Sequence, residues 1–203
     1  MKHQLTLMAI MCFVMCLSQS FAQSAALNPE DITPVEVGDV LPEAVLRNAK
    51  GEDVSLKKLI GTTPAVLVFY RGGWCPYCNL HLSSLAAAES AITDLGYQIL
   101  AISPDDFGNL DPTIDKGGLG YTLLSDPGGS FITDLGIAFQ TPEKVKGYVA
   151  STAQAGNMAD VIPVPGVMVV TTEGEIRYTY FNPDYKVRME ADALLDVLKG
   201  LKK

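Results

Sequence analysis

The stretch "PAVLVFYRGGWCPYCNLHL", residues 64–82, changes character half-way. Up to Tyr70 it is a continuous apolar run of β-branched and aromatic residues, bounded by Pro64 and Gly72. Such a run predicts a strand buried on both faces, typical of a central strand covered by helices. Beyond Cys75 the period changes. Leu82, Leu85, Ala86, Glu89, Ile92 and Leu95 fall mostly three and four residues apart, which predicts an amphipathic helix over 76–94 stopped by Gly96. Cys75 and Cys78 therefore stand where a buried strand turns into a helix.

Outward from this unit the same two periods alternate. Residues 35–61 read as short strands joined by a turn at Lys50-Gly51, followed by a brief helix. "YQILAIS" (97–103) is a second buried strand, 104–118 a helix or loop, "YTLLSD" (121–126) a strand and 128–136 a short helix. Residues 139–159 carry few strand signals and read as an insertion that caps the site or builds a partner surface. "PGVMVVTTEGEIRYTYF" (165–181) predicts a β-hairpin turning at Glu173-Gly174. Residues 190–203 predict a C-terminal amphipathic helix whose last turn is basic, matching the helix dipole. The order implies an α/β fold, a mixed central β-sheet flanked by helices on both faces, in one domain over 35–203.

The chain of 203 residues has a formal net charge of −8, with acidic residues spread along it. That argues against nucleic acid as the main partner, since the phosphate backbone demands clustered Lys and Arg. Residues 1–22 carry Lys2, an apolar run over Leu5–Leu17 and a small-x-small site ending at Ala22, the pattern of a signal peptide. The run is short for a membrane span. Cleavage near Ala22 would remove Cys12 and Cys16 and leave Cys75 and Cys78 as the only cysteines. The expected location is the periplasm or the secreted medium, an oxidising compartment. Residues 23–34 are polar and small and read as a flexible leader.

Four chemistries compete for the cysteine pair. Haem attachment needs His directly after the second Cys, and residue 79 is Asn79. Structural zinc needs four ligands, whereas no second pair exists and His81 is the only nearby candidate, so no metal and no cofactor are expected. Inert packing fits poorly with a strand-to-helix turn. A redox pair fits the position. Free N–H groups and the dipole at the helix start stabilise a Cys75 thiolate, Pro76 suits the first turn, and Cys78 lies within disulfide reach. Cys75 is then expected as the exposed nucleophile and Cys78 as the shielded resolving thiol. A C-x-x-C near a βαβ pattern is a thioredoxin-like signature.

Together with "VGDVLPEAVLRNAKGEDVSL" (37–56) and "PGVMVVTTEGEIRYTYFNPDYKVR" (165–188), the motif resembles the thioredoxin-fold superfamily. More closely, it resembles the alkyl hydroperoxide reductase/thiol-specific antioxidant branch, the peroxiredoxin-like proteins. The resemblance implies a thioredoxin-like fold, with Cys75 as the attacking, peroxidatic thiol and Cys78 as its resolver. It implies a Cys75–Cys78 disulfide as the oxidised state. It also implies a cis-proline facing the dithiol, for which Pro165 is the better match and Pro163 the runner-up. The partners implied are a peroxide or disulfide substrate and a dithiol donor such as a thioredoxin-like protein; a homodimer is compatible with the family.

The chain departs from that family in front of the dithiol. Peroxiredoxins place P-x-x-x-T-x-x-C there, whereas this chain has Gly72 three residues before Cys75. The family's activating Arg has no counterpart before the later strand, leaving Arg71, Arg177 or Arg188. Arg177 and Arg188 read better as surface charges. Trp74 either docks a partner or covers the loop. "CPYC" itself is the glutaredoxin pair, and its middle residues tune redox potential. A peroxidase is the preferred reading on the redoxin framework. Protein disulfide exchange by the same pair is the alternative, and a non-enzymatic binding module is a weaker third.

Overall fold

In the computed structural model, which describes residues 24–152 and 160–202, Ala65–Phe69 is buried along its whole length. The expected signal peptide lies outside the described residues. The strand, β3, is flanked in chain order by β1 (Val45–Arg47), β2 (Asp53–Ser55), β4 (Gln98–Ser103), β5 (Thr122–Ser125), β8 (Gly166–Val170) and β9 (Ile176–Phe181). These seven form one sheet in the order β2-β1-β5-β4-β3-β8-β9. The pairs β3·β4 and β4·β5 are parallel, and β8 joins β3 antiparallel. The sheet is mixed, as the order of elements required.

Alternation along β3 splits the core in two. Val66 and Val68 face α2 (Pro76–Asp94), α3 (Leu110–Gly117) and α6 (Ala191–Leu201). Ala65, Leu67 and Phe69 face α1 (Leu56–Ile60) and α4 (Ser130–Asp134). Each fully buried Val, Leu or Phe here contributes about 2 kcal/mol. The α2 bounds coincide with those that its periodicity predicts. β3, β4 and β5 all end at the same edge, so the loops that follow them, and the head of α2, meet there.

Residues 24–34, expected as a leader, run beside β6 (Ala138–Gln140). Ala26 N–H donates to Ala138 O and Gln140 N–H to Ala26 O, each at 2.9 Å; Thr33 N–H donates to Gly136 O at 3.1 Å. Backbone pairing of this kind leaves no mark in side-chain composition. The expected insertion holds part of β6, then α5 (Glu143–Thr152), and its residues 153–159 lie outside the described ones. β6 pairs antiparallel with β7 (Val161–Pro163). Val149 of α5 packs with Phe139, Ile162, Val164 and Trp74, which ties the inserted helix to the dithiol loop.

Candidate active site

The polypeptide leaves β3 through Tyr70, Arg71, Gly72 and Gly73 and enters α2 with Cys75 as its N-cap. Pro76 is in the first turn, where no N–H is needed. Cys78 N–H and Asn79 N–H both donate to Cys75 O, at 3.0 and 3.1 Å. Both thiols are free. No side-chain oxygen caps the helix, so the Cys75 sulfur occupies the place of a capping group.

The electrostatics separate the two thiols. Cys75 is lowered from 9.0 to about 6, chiefly by a hydrogen bond from the Cys78 thiol; burial opposes this, while the Cys78 N–H and the Arg71 and Arg188 charges assist. Cys78 is pushed well above 9.0 by burial and by its neighbour's sulfur. At pH 7 a thiol with a pKa of about 6 is roughly nine-tenths ionised. At that pH the Cys75 sulfur is largely thiolate while Cys78 keeps its proton.

Cys75 is only 1% exposed, contrary to the exposed position expected of it. Arg71, Trp74 and Tyr185 crowd around it. Arg71, 4% exposed, lies with its guanidinium carbon 5.0 Å from the Trp74 ring centre and 4.6 Å from that of Tyr185. Its Nε has no hydrogen-bond partner among the described residues. A buried guanidinium lying against two ring faces is a strong local source of positive potential. Arg188, which the sequence favours as a surface charge, instead reaches back and donates from Nη2 to Cys78 Sγ at 3.6 Å. Tyr185 O, accepting from Arg188 Nη1, holds that bend. Arg177 stays at the surface beside Glu175.

The two glycines have separate steric causes. Gly72 has φ +141, and a Cβ there would meet Trp74 Nε1 at 2.3 Å and Asp105 Oδ1 at 2.5 Å. A Cβ on Gly73 would lie 2.1 Å from Thr113 Oγ1 of α3. No threonine fits at either position. Thr113's own hydroxyl is spent on Asn109 O at 2.8 Å. Asp105 Oδ2 accepts from Gly73 N–H at 2.7 Å, and Asn79 Nδ2 donates to Gly73 O at 2.8 Å. Pro165 lies one residue beyond the Phe69–Gly166 pair, at the dithiol end of the sheet. Its peptide is trans and lacks the cis bond that the resemblance implies; no cis bond occurs among the described residues. The chain there is extended, with Val164 N–H on Ile137 O and Asn182 N–H on Pro165 O.

A groove of about 390 Å³ opens beside Cys75 between Trp74, Tyr77, Tyr185 and the α5 residues Lys144, Val145 and Tyr148. Trp74 stacks on Tyr148 at 5.8 Å, and Tyr77 meets Tyr185 edge-on at 5.6 Å. Sequence reading did not single out Asp105, Tyr148 or Tyr185, and took Asn79 only as the residue that excludes haem attachment. The one local signal was Asp105-Asp106, one residue after a buried strand.

The profile of the AhpC/TSA family matches residues 37–179, which include the whole of this site except Tyr185 and Arg188. This chain belongs to the AhpC/TSA family. Among curated proteins, peroxiredoxin Q from the chloroplast of Suaeda salsa is 30% identical over 190 residues, covering 91% of this chain and 80% of its own. Peroxiredoxin Bcp of Escherichia coli K12 is 23% identical over 168 residues, 83% of this chain and 98% of its own. Among solved structures, the peroxidoxin BcpB of Mycobacterium tuberculosis superposes with a TM-score of 0.64 at 19% identity, over 83% of this chain and 99% of that one. Reduced Prx3 of Vibrio vulnificus in complex with H2O2 gives 0.68 at 18% identity, over 81% and 99%. These likenesses fix the thioredoxin-like fold. As an AhpC/TSA member of the peroxiredoxin type, the chain is a thiol-dependent peroxidase.

Proposed function

We propose that Cys75 and Cys78 carry the peroxidase cycle on their own, as a dithiol within one helical turn. The Cys75 thiolate attacks the outer oxygen of a peroxide. The S–O bond forms as the O–O bond breaks, and the leaving oxygen takes a proton and departs as water or an alcohol. Cys75 is then a sulfenic acid. The Cys78 thiol attacks that sulfur, expelling hydroxide that takes up the thiol proton, so a disulfide and one water result. A thioredoxin-like dithiol donor returns the pair to the reduced state. The placing of two free thiols on the first turn of one helix, Cys75 as its N-cap and Cys78 bonded through its N–H to Cys75 O, carries this reading. The 1–22 segment adds export to the periplasm or beyond, where such a donor must also be present.

The test is stopped-flow mixing of the reduced protein with hydrogen peroxide and with cumene hydroperoxide. Oxidation of the dithiol much faster than that of free cysteine is expected with at least one of them. Oxidation no faster than that of free cysteine would refute the reading. One observation favours disulfide exchange as a second activity: the groove beside Cys75 is open, aromatic and wide enough for a peptide side chain. Rapid reduction of a protein disulfide by the same dithiol would establish that activity.

A further inference from the structure

The loop that presents Cys75 is fastened by a residue of another strand. Asp105 follows β4 and is 3% exposed. Its Oδ2 accepts from Gly73 N–H at 2.7 Å. Its Oδ1 and Trp74 Nε1 close on the same point above Gly72, 2.5 and 2.3 Å from where a Cβ would stand. The indole N–H is buried without a hydrogen-bond partner among the described residues. Asp105 is itself fixed on both sides: its N–H donates to Ser103 Oγ at 3.3 Å, and its O accepts from Ser125 Oγ at 2.5 Å. The next residue, Asp106, donates its N–H to Thr152 O at the end of α5, the helix that walls the groove. No basic side chain pairs with Asp105 among the described residues. A carboxyl buried without a cation is costly, and the structure retains it under the dithiol loop.

We propose that Asp105 is the positioning residue of the Cys75 loop: through Gly73 N–H it fixes the backbone that carries Trp74, so that Arg71, stacked on that ring, stays beside the dithiol. It does not touch the peroxide. Burial raises its carboxyl to about 6, against the pull of Gly73 N–H and the Thr152 side chain. The titratable and charged groups around it are Asp106 on its own turn, Tyr70 at the end of β3, Cys75 and Cys78 at the head of α2, and Arg71 and Arg188 about the sulfurs. Cys75 titrates near the same pH, so the pH experiment is done with Cys75→Ser.

Trp74 is the only tryptophan of the chain, so emission excited selectively in the indole, not in tyrosine, reports this loop alone. In the full chain carrying Cys75→Ser, emission is expected to titrate with a midpoint near 6. Adding Asp105→Asn, whose amide oxygen still accepts from Gly73 N–H, is expected to abolish the titration. With Cys75 present, alkylation of the reduced protein by iodoacetamide at pH 7.5 is expected to stay within about three-fold for Asp105→Asn and to slow about ten-fold or more for Asp105→Ala. Persistence of the titration after Asp105→Asn would overturn the proposal, as would a folded Asp105→Ala with unchanged emission and alkylation. The titration decides the matter even if Asp105→Ala does not fold. Neither readout uses peroxide, so both stand apart from the peroxidase cycle on which the role's purpose rests.

Discussion

Two turns at the same edge of the sheet are built alike and end differently. After β5 the chain runs Asp126-Pro127-Gly128-Gly129 into α4, and after β3 it runs Arg71-Gly72-Gly73-Trp74-Cys75 into α2. In the first, the buried Asp126 folds over the helix start, with Oδ1 accepting from Phe131 N–H at 3.2 Å and Oδ2 from Ile132 N–H at 3.1 Å. The helix's free donors are answered by a carboxylate, and the turn is closed. In the second, sulfur stands in that place and no side-chain oxygen answers the donors. The surroundings then diverge. Burial raises the Asp126 carboxyl, against its N–H partners, with no cation to offset it. Cys75 is lowered despite burial, because a thiol donor and two guanidinium groups face it. The same local plan yields an anchor when the acceptor is oxygen and a thiol inclined to ionise when it is sulfur beside positive charge.

The sharpest way to break the comparison is to exchange the roles. Cys75→Ser is expected to lower peroxide-driven oxidation by roughly 10³-fold or more, since a serine hydroxyl does not ionise near neutrality. Asp126→Ala is expected to cost about 2–3 kcal/mol in urea unfolding while the folded protein keeps its thiol reactivity. A folded Asp126→Ala that loses thiol reactivity would contradict the division into anchor and nucleophile.

Removing the thiol donor comes next. Cys78→Ala is expected to move the Cys75 pKa up from about 6 towards 9.0, because the largest cause of its lowering is gone. Iodoacetamide rates against pH would show that shift, and dimedone labelling with mass spectrometry would show a sulfenic acid persisting on Cys75. Arg71→Met and Arg188→Met should each slow alkylation at pH 6.5 several-fold, while Arg177→Met leaves it unchanged. An effect of Arg177→Met as large as theirs would remove the special place given to the two cations.

The smallest effect lies in stability. Cys75 has its folded pKa depressed, so its contribution is fully present above pH 9 and is lost as pH falls through about 6. The melting temperature of the reduced protein should therefore rise relative to Cys75→Ser between pH 6 and 9. The disulfide form should show no such rise.

The layers of the fold were legible because each depends on a local period. β3 is an unbroken apolar run and α2 a three-and-four spacing, and both have the expected extent. The dithiol was legible from the place of Cys75 and Cys78 at the junction of the two. What was not legible depends on meetings across the chain. Arg188 lies 110 residues from Cys78, and no periodicity links them. Asp105 meets Gly73 from the end of another strand, and its partner is a backbone N–H that every residue carries. The glycines before Cys75 read as a lost threonine, whereas the space they leave is filled by Asp105, Trp74 and Thr113. Burial of Cys75 likewise follows from Tyr185 and Arg71 closing over a turn that is open in sequence terms.

The central claim is that Cys75 reacts as a thiolate and Cys78 resolves it. It is tested most directly by following a single turnover of the reduced protein with one equivalent of hydrogen peroxide across pH 4.5–8, with mass mapping of the product. The expected result is a rate that rises with pH through a midpoint near 6 and levels above it, with the Cys75–Cys78 disulfide as the product. A rate that follows an ordinary thiol near 9, or an oxidised product that leaves Cys78 free, would contradict it.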